Sequence, residues 1–391
     1  MVKIATLFLM SATAAAFNHP GLLHTSKDLS RAKGHVDKGE EPWLTDWNLL
    51  KTSSRASPTW EPKPVPTVYR GNDGEHQQNF GQLVSDIHAA YQLGIRWHIE
   101  KDDQYAKAAI NILNAWSSTL KAIEGTGDKY IAAGIYGSQL ANAGELLRDY
   151  SGWSGSDRNK LKNVLYNVFY KLNHEYLTAG NKWGNGYYGW SSWDFLSLAS
   201  VQAIGVFNEN QDLYDEAINY FWDGRGNGNI NKFIYHNWTA SSTGAILAQT
   251  QEAGRDQNHA LLDVQLIGVI MQQAWNQGDD LYKALGNAPL HATEYLSKYN
   301  VGQDVPYTWY DSPEGNHTVI APDGRGEIRP GWERIYAHYH DIKNVDAPWT
   351  KKYRDLVNSK TNGVEGGGGN YNTGGGMDDL GFGTLLYRLS A

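Results

Sequence analysis

The chain has 391 residues, 41% of them hydrophobic and 12% aromatic; 15 Trp and 24 Tyr rule out a disordered chain, because so much ring surface has to be buried. Lys and Arg number 34 against 42 Asp and Glu, a formal charge of −8, and no basic run marks a nucleic-acid-binding face. With no cysteine there are no disulfides, thiol nucleophiles or thiolate metal sites, so stability has to come from the core.

Residues 1–16 have the pattern of a secretory signal: Lys3, a short apolar block over 4–10, and Ala14-Ala15-Ala16 for cleavage. The block is too short to span a bilayer, and no later stretch approaches the roughly 20 apolar residues a span needs. Export to the extracellular space is expected, with residues 17–391 as one domain. Residues 17–69, punctuated by Pro42, Pro58, Pro62, Pro64 and Pro66, predict an irregular strap held by Trp43, Trp47 and Trp60.

From residue 82 the pattern turns helical. Leu83, Ile87, Tyr91 and Ile95 make one apolar stripe, and Tyr105, Ala109, Ile112, Trp116 and Leu120 make another after a break at residues 101–103. A Gly-Thr-Gly-Asp break at 125–128 precedes an Ala-rich helix over 131–148. Asp157 is expected to cap a helix carrying Leu161, Val164, Leu165, Val168 and Leu172. Further helices are predicted over 193–207, 212–221, 238–249, 257–277, 280–299 and 332–340. Strand signals are nearly absent. Helices arriving in pairs predict an all-α protein of stacked hairpins. The Gly-rich stretch 364–376 reads as a flexible loop, either a solvated linker or a lid.

Three stretches carry polar chemistry. Residues 183–193 (WGNGYYGWSSW) concentrate aromatic rings that can stack on sugars, Trp190 among them, or simply pack between helices. Residues 235–259 place Asn237 and Trp238 before a predicted helix, then Glu252, Arg255, Asp256, Gln257 and His259 at the head of a long one. Helical spacing would project Arg255 and His259 from one face, with Glu252 orienting Arg255; a solvated polar turn is the bland alternative. The third stretch holds Tyr307, Tyr310, Arg325, Arg329, Tyr336, His338 and Tyr339, each tyrosine of which reads as packing before catalysis. No nucleotide-loop, zincin, nucleophile-elbow or EF-hand pattern occurs, and His338 with His340 is poorly spaced for metal. No cofactor or metal is expected. Sequons begin at Asn237 and Asn316, the latter in a predicted surface loop.

Residues 86–147 together with YHNW, GRDQNH, EYLSKYN and RPGWERIYAHY resemble the alginate-lyase-type polysaccharide lyases over residues 43–340, with GRDQNH the sharpest part. The resemblance implies an incomplete (α/α) toroid with a central groove, acting alone as a monomer on a 1,4-linked anionic uronate polysaccharide by β-elimination. That chemistry has to neutralise the uronate carboxylate, remove the C5 proton and protonate the departing O4. On this reading Asn237 and Arg255, with Gln257, neutralise the carboxylate, His259 is the base and Tyr307 the acid. Trp190, Trp238, Tyr310, Arg329, Tyr336 and His338 complete the substrate contacts. In β-linked mannuronate or glucuronate, H5 and O4 lie on one side of the ring, so a single Tyr can serve as base and acid with His259 as orienter. The best-known members use an adjacent Asn-His pair and an Arg followed seven residues on by Tyr. Seven beyond Arg255 is Leu262, whereas Arg329 and Tyr336 have that spacing. Two other readings stand beside this one. A helical-toroid glycoside hydrolase would draw two carboxylates from Glu252, Asp256 and Asp263. A non-catalytic protein would bind polysaccharide without cutting it.

Overall fold

The computed structural model describes residues 16–179, 189–240, 244–312, 315–371 and 375–390. Of the expected export signal only Ala16 therefore lies among the described residues.

Helix α1 (Ser26–Lys38) starts at a capping box in which Thr25 and Asp28 satisfy each other's backbone N–H, and α2 (Trp43–Thr52) follows it. The strap expected over 17–69 is thus helical in its first half. Pro42 lies at the N-cap of α2 and Pro58, Pro62, Pro64 and Pro66 follow that helix, so they leave that half free to wind. Strand β1 (Thr67–Arg70) ends the segment, and α3 (Phe80–Glu100) and α4 (Asp103–Thr119) follow as the two predicted stripes. Strand β2 (Ala122–Gly125) pairs in parallel with β1. Helix α5 (Asp128–Leu146) comes next, then α6 (Gly155–Val164), which is capped by Ser154 rather than Asp157 and runs through a π-helical turn (Leu165–Tyr170) into α7 (Lys171–Ala179).

Helices α8 (Ser191–Asn208) and α9 (Gln211–Asp223) form the next pair, with the short α10 (Ile230–Phe233) behind them. The helix expected over 238–249 is an antiparallel hairpin of β3 (Ile234–Thr239) and β4 (Ile246–Thr250). Its aromatic and β-branched residues pair across the hairpin, a preference that propensity alone does not fix. Helix α11 (Gln257–Gln277) matches its expected bounds. Helix α12 (Ala284–Asn300) is broken at Leu285–Asn287, where the backbone turns left-handed, so the regular part begins at Ala288. A second hairpin, β5 (Tyr310–Ser312) with β6 (Gly315–His317), leads to α13 (Trp332–Tyr336), α14 (Pro348–Asn358) and α15 (Gly383–Tyr387).

The helices pack as a ring. α3 pairs with α4, α8 with α9 and α12 with α14, while α3, α5, α8 and α11 contact one another in sequence. α5, α8 and α11 are buried along nearly every face and form the inner wall. Small residues make that possible: a Cβ on Gly134 would lie 2.1 Å from the Leu196 side chain and 2.8 Å from its backbone, so α5 and α8 cross almost backbone to backbone. At the open side α1 touches both α3 and α15. The protein is an all-α incomplete toroid, and most of its buried apolar side chains from Leu22 to Tyr387 form one continuous cluster.

The described part of the Gly-rich stretch is largely buried, against the expectation of a linker or lid. Met377 carbonyl accepts from Gln139 of α5 and faces His88 of α3 at 3.1 Å, while Asp379 pairs with the buried Arg334 at 2.9 Å. Glycine allows this chain to run through the middle of the ring, where a side chain on Gly368 would strike backbone at 2.2 Å.

Candidate active site

The N-terminal ends of α5, α8 and α11 open on a common pocket of about 180 Å³. Ile131 and Ile135 come from α5, Ser192 and Trp193 from α8, and Asn258 and His259 from α11. Arg70 enters from the end of β1, Arg329 from the segment before α13, and Asp378 from the glycine-rich chain. The carboxyl pair Glu252 and Asp263 fixes two of these helix ends together. Glu252 accepts the Ser192 N–H at 2.6 Å, and Asp263 accepts the Ser191 hydroxyl at 3.0 Å. Burial, then the neighbouring Glu252 charge, pushes Asp263 well above the usual carboxylate range, so it holds its proton.

His259 is oriented by the residue that caps its own helix. Asp256 accepts the His259 backbone N–H at 2.8 Å and faces its Nδ1 at 2.6 Å. Burial raises the Asp256 pKa, but the hydrogen bonds and charge of His259, helped by Arg255, outweigh it and hold it below the usual range. An ionised carboxylate can only accept, so Nδ1 carries the hydrogen and Nε2 is left free to take a proton.

Arg329 is 3% exposed and fully engaged. It pairs with Asp378 at 3.0 Å, donates to Gln265, and gives both Nε and Nη2 to the Asn258 amide oxygen at 2.9 and 2.5 Å. That fixes the Asn258 amide, leaving its NH2 with no acceptor among the described residues. Arg70 is different. Its guanidinium rests over Phe80 and Tyr136 at 4.9 and 5.5 Å, donates to the Tyr136 hydroxyl at 2.7 Å, and has no ion pair among the described residues. Burial drives the Tyr136 pKa far up, against the pull of Arg70, so the phenol stays neutral with its proton uncommitted. With Arg329 matched by Asp378 and Asp256 set against His259, the Arg70 guanidinium is the local attraction for an anion in a chain of net negative charge. Among the described residues no cluster of three or more His, Asp and Glu is arranged to hold a metal.

The expected site residues scatter. His259 and Arg329 line the pocket. Arg255 sits in the turn before α11, so helical spacing does not join it to His259. It bonds Glu252 at 2.9 Å and lies 5.0 Å from the Trp190 ring centre. Trp190 is itself only 2% exposed. The Gln257 side chain is consumed by Ala253, Ala321 and Asn300. Tyr307 donates to the His317 carbonyl at 3.2 Å, and Tyr310 accepts from Gln251 at 2.9 Å. Asn237 is exposed on β3 rather than capping a helix, and Trp238 faces a different cleft beside Trp349. Tyr336 stacks on His340 at 4.7 Å, and His338 is buried 3.4 Å from the Tyr282 ring. Of the aromatic run 183–193, residues 183–188 lie outside the described residues; Trp193 lines the pocket. Sequence reading did not single out Arg70 and Asn258, which line the pocket, or Asp256 as the residue that orients His259. Asn258-His259 is an adjacent Asn-His pair in plain sight, whereas nothing local marks Arg70.

The sequence model of the alginate lyase family matches residues 40–305, about two thirds of the chain. The chain belongs to the alginate lyase family. It is therefore a polysaccharide lyase, and its fold agrees. A tetrasaccharide complex of alginate lyase A1-III superposes with a TM-score of 0.63 at 12% identity, covering 96% of this chain and 98% of that one. A1-III from Sphingomonas species A1 gives 0.62 at 12% identity over 96% and 98%. An alginate lyase from Bacteroides ovatus gives 0.59 at 14% identity over 96% and 100%. No curated protein sequence matches this family member.

Proposed function

We propose that this lyase cleaves β-1,4-linked uronate polymers, poly-mannuronate or glucuronan, by β-elimination at the Arg70–His259 pocket. The uronate carboxylate meets the unpaired Arg70 guanidinium and the Asn258 NH2, which stabilise the charge that develops as C5 loses its proton; each such donor is worth roughly 10²–10³ in rate. His259 Nε2 takes the C5 proton, and the electron pair becomes the C4–C5 double bond as the C4–O4 bond breaks. The departing O4 takes a proton from water, and the hydroxide so formed takes the proton that His259 removed from C5, which restores the neutral imidazole.

One observation supports this reading above the rest: a guanidinium with no ion pair among the described residues shares a pocket with an imidazole whose Nδ1 is held by a carboxylate. A hydrolase is disfavoured, because Glu252 and Asp263 are buried in each other's company and Asp256 is spent on His259. Incubation with poly-mannuronate, poly-guluronate and glucuronan should raise ultraviolet absorbance from the unsaturated ends with poly-mannuronate or glucuronan. New reducing ends without absorbance would mean hydrolysis. Residues 1–16 we take as an export signal, which N-terminal sequencing of protein from the culture medium would test.

A further inference from the structure

A second cleft, of about 610 Å³, lies beside the start of α3. Trp60, Lys63, Ser57, Thr59, Gln82 and Ser85 line it. The Trp60 ring is held by its indole N–H, which donates to the buried Asp86 carboxylate at 2.8 Å. Asp86 also accepts from Trp116 and from the Lys63 backbone, so its charge is committed inward. Glu61 is the other acid on the lining. Against these stand one cation on the lining, Lys63, and one behind it, Arg55, neither with an ion pair among the described residues. Lys63 is exposed. Arg55 reaches Ser85 at 3.3 Å and keeps a buried Nε with no partner.

The cleft and the pocket both reach the start of α3. Arg70, which lines that pocket, rests on the Phe80 ring, and Gly81, the next residue, lines the cleft. A polymer seated in the pocket has no way through the ring, because Leu23, Asn142, Leu266 and Leu380 leave only about 20 Å³ at its centre. Its neighbouring units have to run along the rim. An aromatic face for pyranose C–H groups, hydroxyl and amide partners for sugar hydroxyls, and cations for carboxylates are what an acidic polysaccharide chain requires. We propose that this cleft is a second sugar-binding site, holding a stretch of the polyuronate chain remote from the bond being cut. The inference rests on the polyuronate reading of the pocket.

The test compares kcat/KM on long polymer and on trisaccharide for the parent, Lys63→Glu and Trp60→Ala, with thermal melts to confirm folding. The ratio of long-chain to trisaccharide kcat/KM should fall about three- to tenfold in each variant, the range expected for one aromatic or ionic contact. An unchanged ratio in folded Lys63→Glu overturns the proposal. Affinity gels containing the polymer, run with His259→Ala and His259→Ala/Lys63→Glu, separate the two readings. Retardation lost on adding Lys63→Glu, in a protein whose parent cleaves nothing, keeps the cleft and rejects the mechanism. Equal retardation of the two rejects the cleft.

Discussion

Asp256 performs two jobs that one substitution separates. Asn caps a helix about as well as Asp, so Asp256→Asn should melt within a few degrees of the parent. It does not oblige Nδ1 to carry the hydrogen, so kcat on the cleaved polymer should fall by roughly 10²–10⁴, the usual worth of a positioned base. A variant as active as the parent would remove His259 from proton transfer. Arg70→Ala should lower kcat/KM by roughly 10²–10³ through loss of a donor at the developing charge. Arg329→Ala should also unfold more readily, because Asp378 would be left nearly buried beside a vacant guanidinium site.

Among the elements, the crossing of α5 on α8 sets the width of the pocket, since Ile131 and Ile135 approach Ser192 and Trp193 there. Gly134→Val would drive a branched side chain into the Leu196 backbone. Overpacking of that kind costs about 1–3 kcal/mol, so the denaturant midpoint should drop and activity should suffer in the surviving folded protein. The β3–β4 hairpin brings Gln249 and Gln251 to Thr308 and Tyr310, and thereby seats the turn that precedes α11. A helix over 238–249 would have carried that turn away from the ring. The hairpin thus matters for where His259 points although it supplies no residue to the pocket.

Across the whole molecule, burial has placed titratable groups of both signs in the core. Desolvation lowers His338 to about 3 and His24 to about 3, and lowers His88 and His98 to about 4. An unfolded imidazole binds its proton near pH 6.5, so these groups withdraw stability as pH falls from about 6.5 toward 4. Buried Asp194 is raised to about 7 and Glu365 to about 8, so those acids withdraw stability as pH climbs from about 4 through those values. His338 has no hydrogen bond at either nitrogen among the described residues and stacks flat on Tyr282, so Phe can replace it. His338→Phe should gain roughly 2 kcal/mol over the parent near pH 4.5 relative to near pH 7.5, read from urea unfolding at both. Glu365→Gln should flatten the alkaline side instead.

The stripes of α3, α4 and α11 were legible because helical periodicity is local: residues three and four apart share a face whatever lies opposite. Family membership was legible for the same reason, since GRDQNH is contiguous, and it fixed the all-α toroid. The hairpin was not, because β3 and β4 are stabilised by each other across the turn and by the loop at Thr308. Nor was most of the site. Arg70, Tyr136, Asn258 and Arg329 span 260 positions of chain, from 70 to 329, and the closing of the ring is what joins them. The sequence by itself determined the inner-wall helices, the family and the imidazole that takes the proton in our reading. Only tertiary structure decided which guanidinium stays unpaired, because that depends on carboxylates brought up from elsewhere: Asp378 reaches Arg329, Glu252 reaches Arg255, and none among the described residues reaches Arg70.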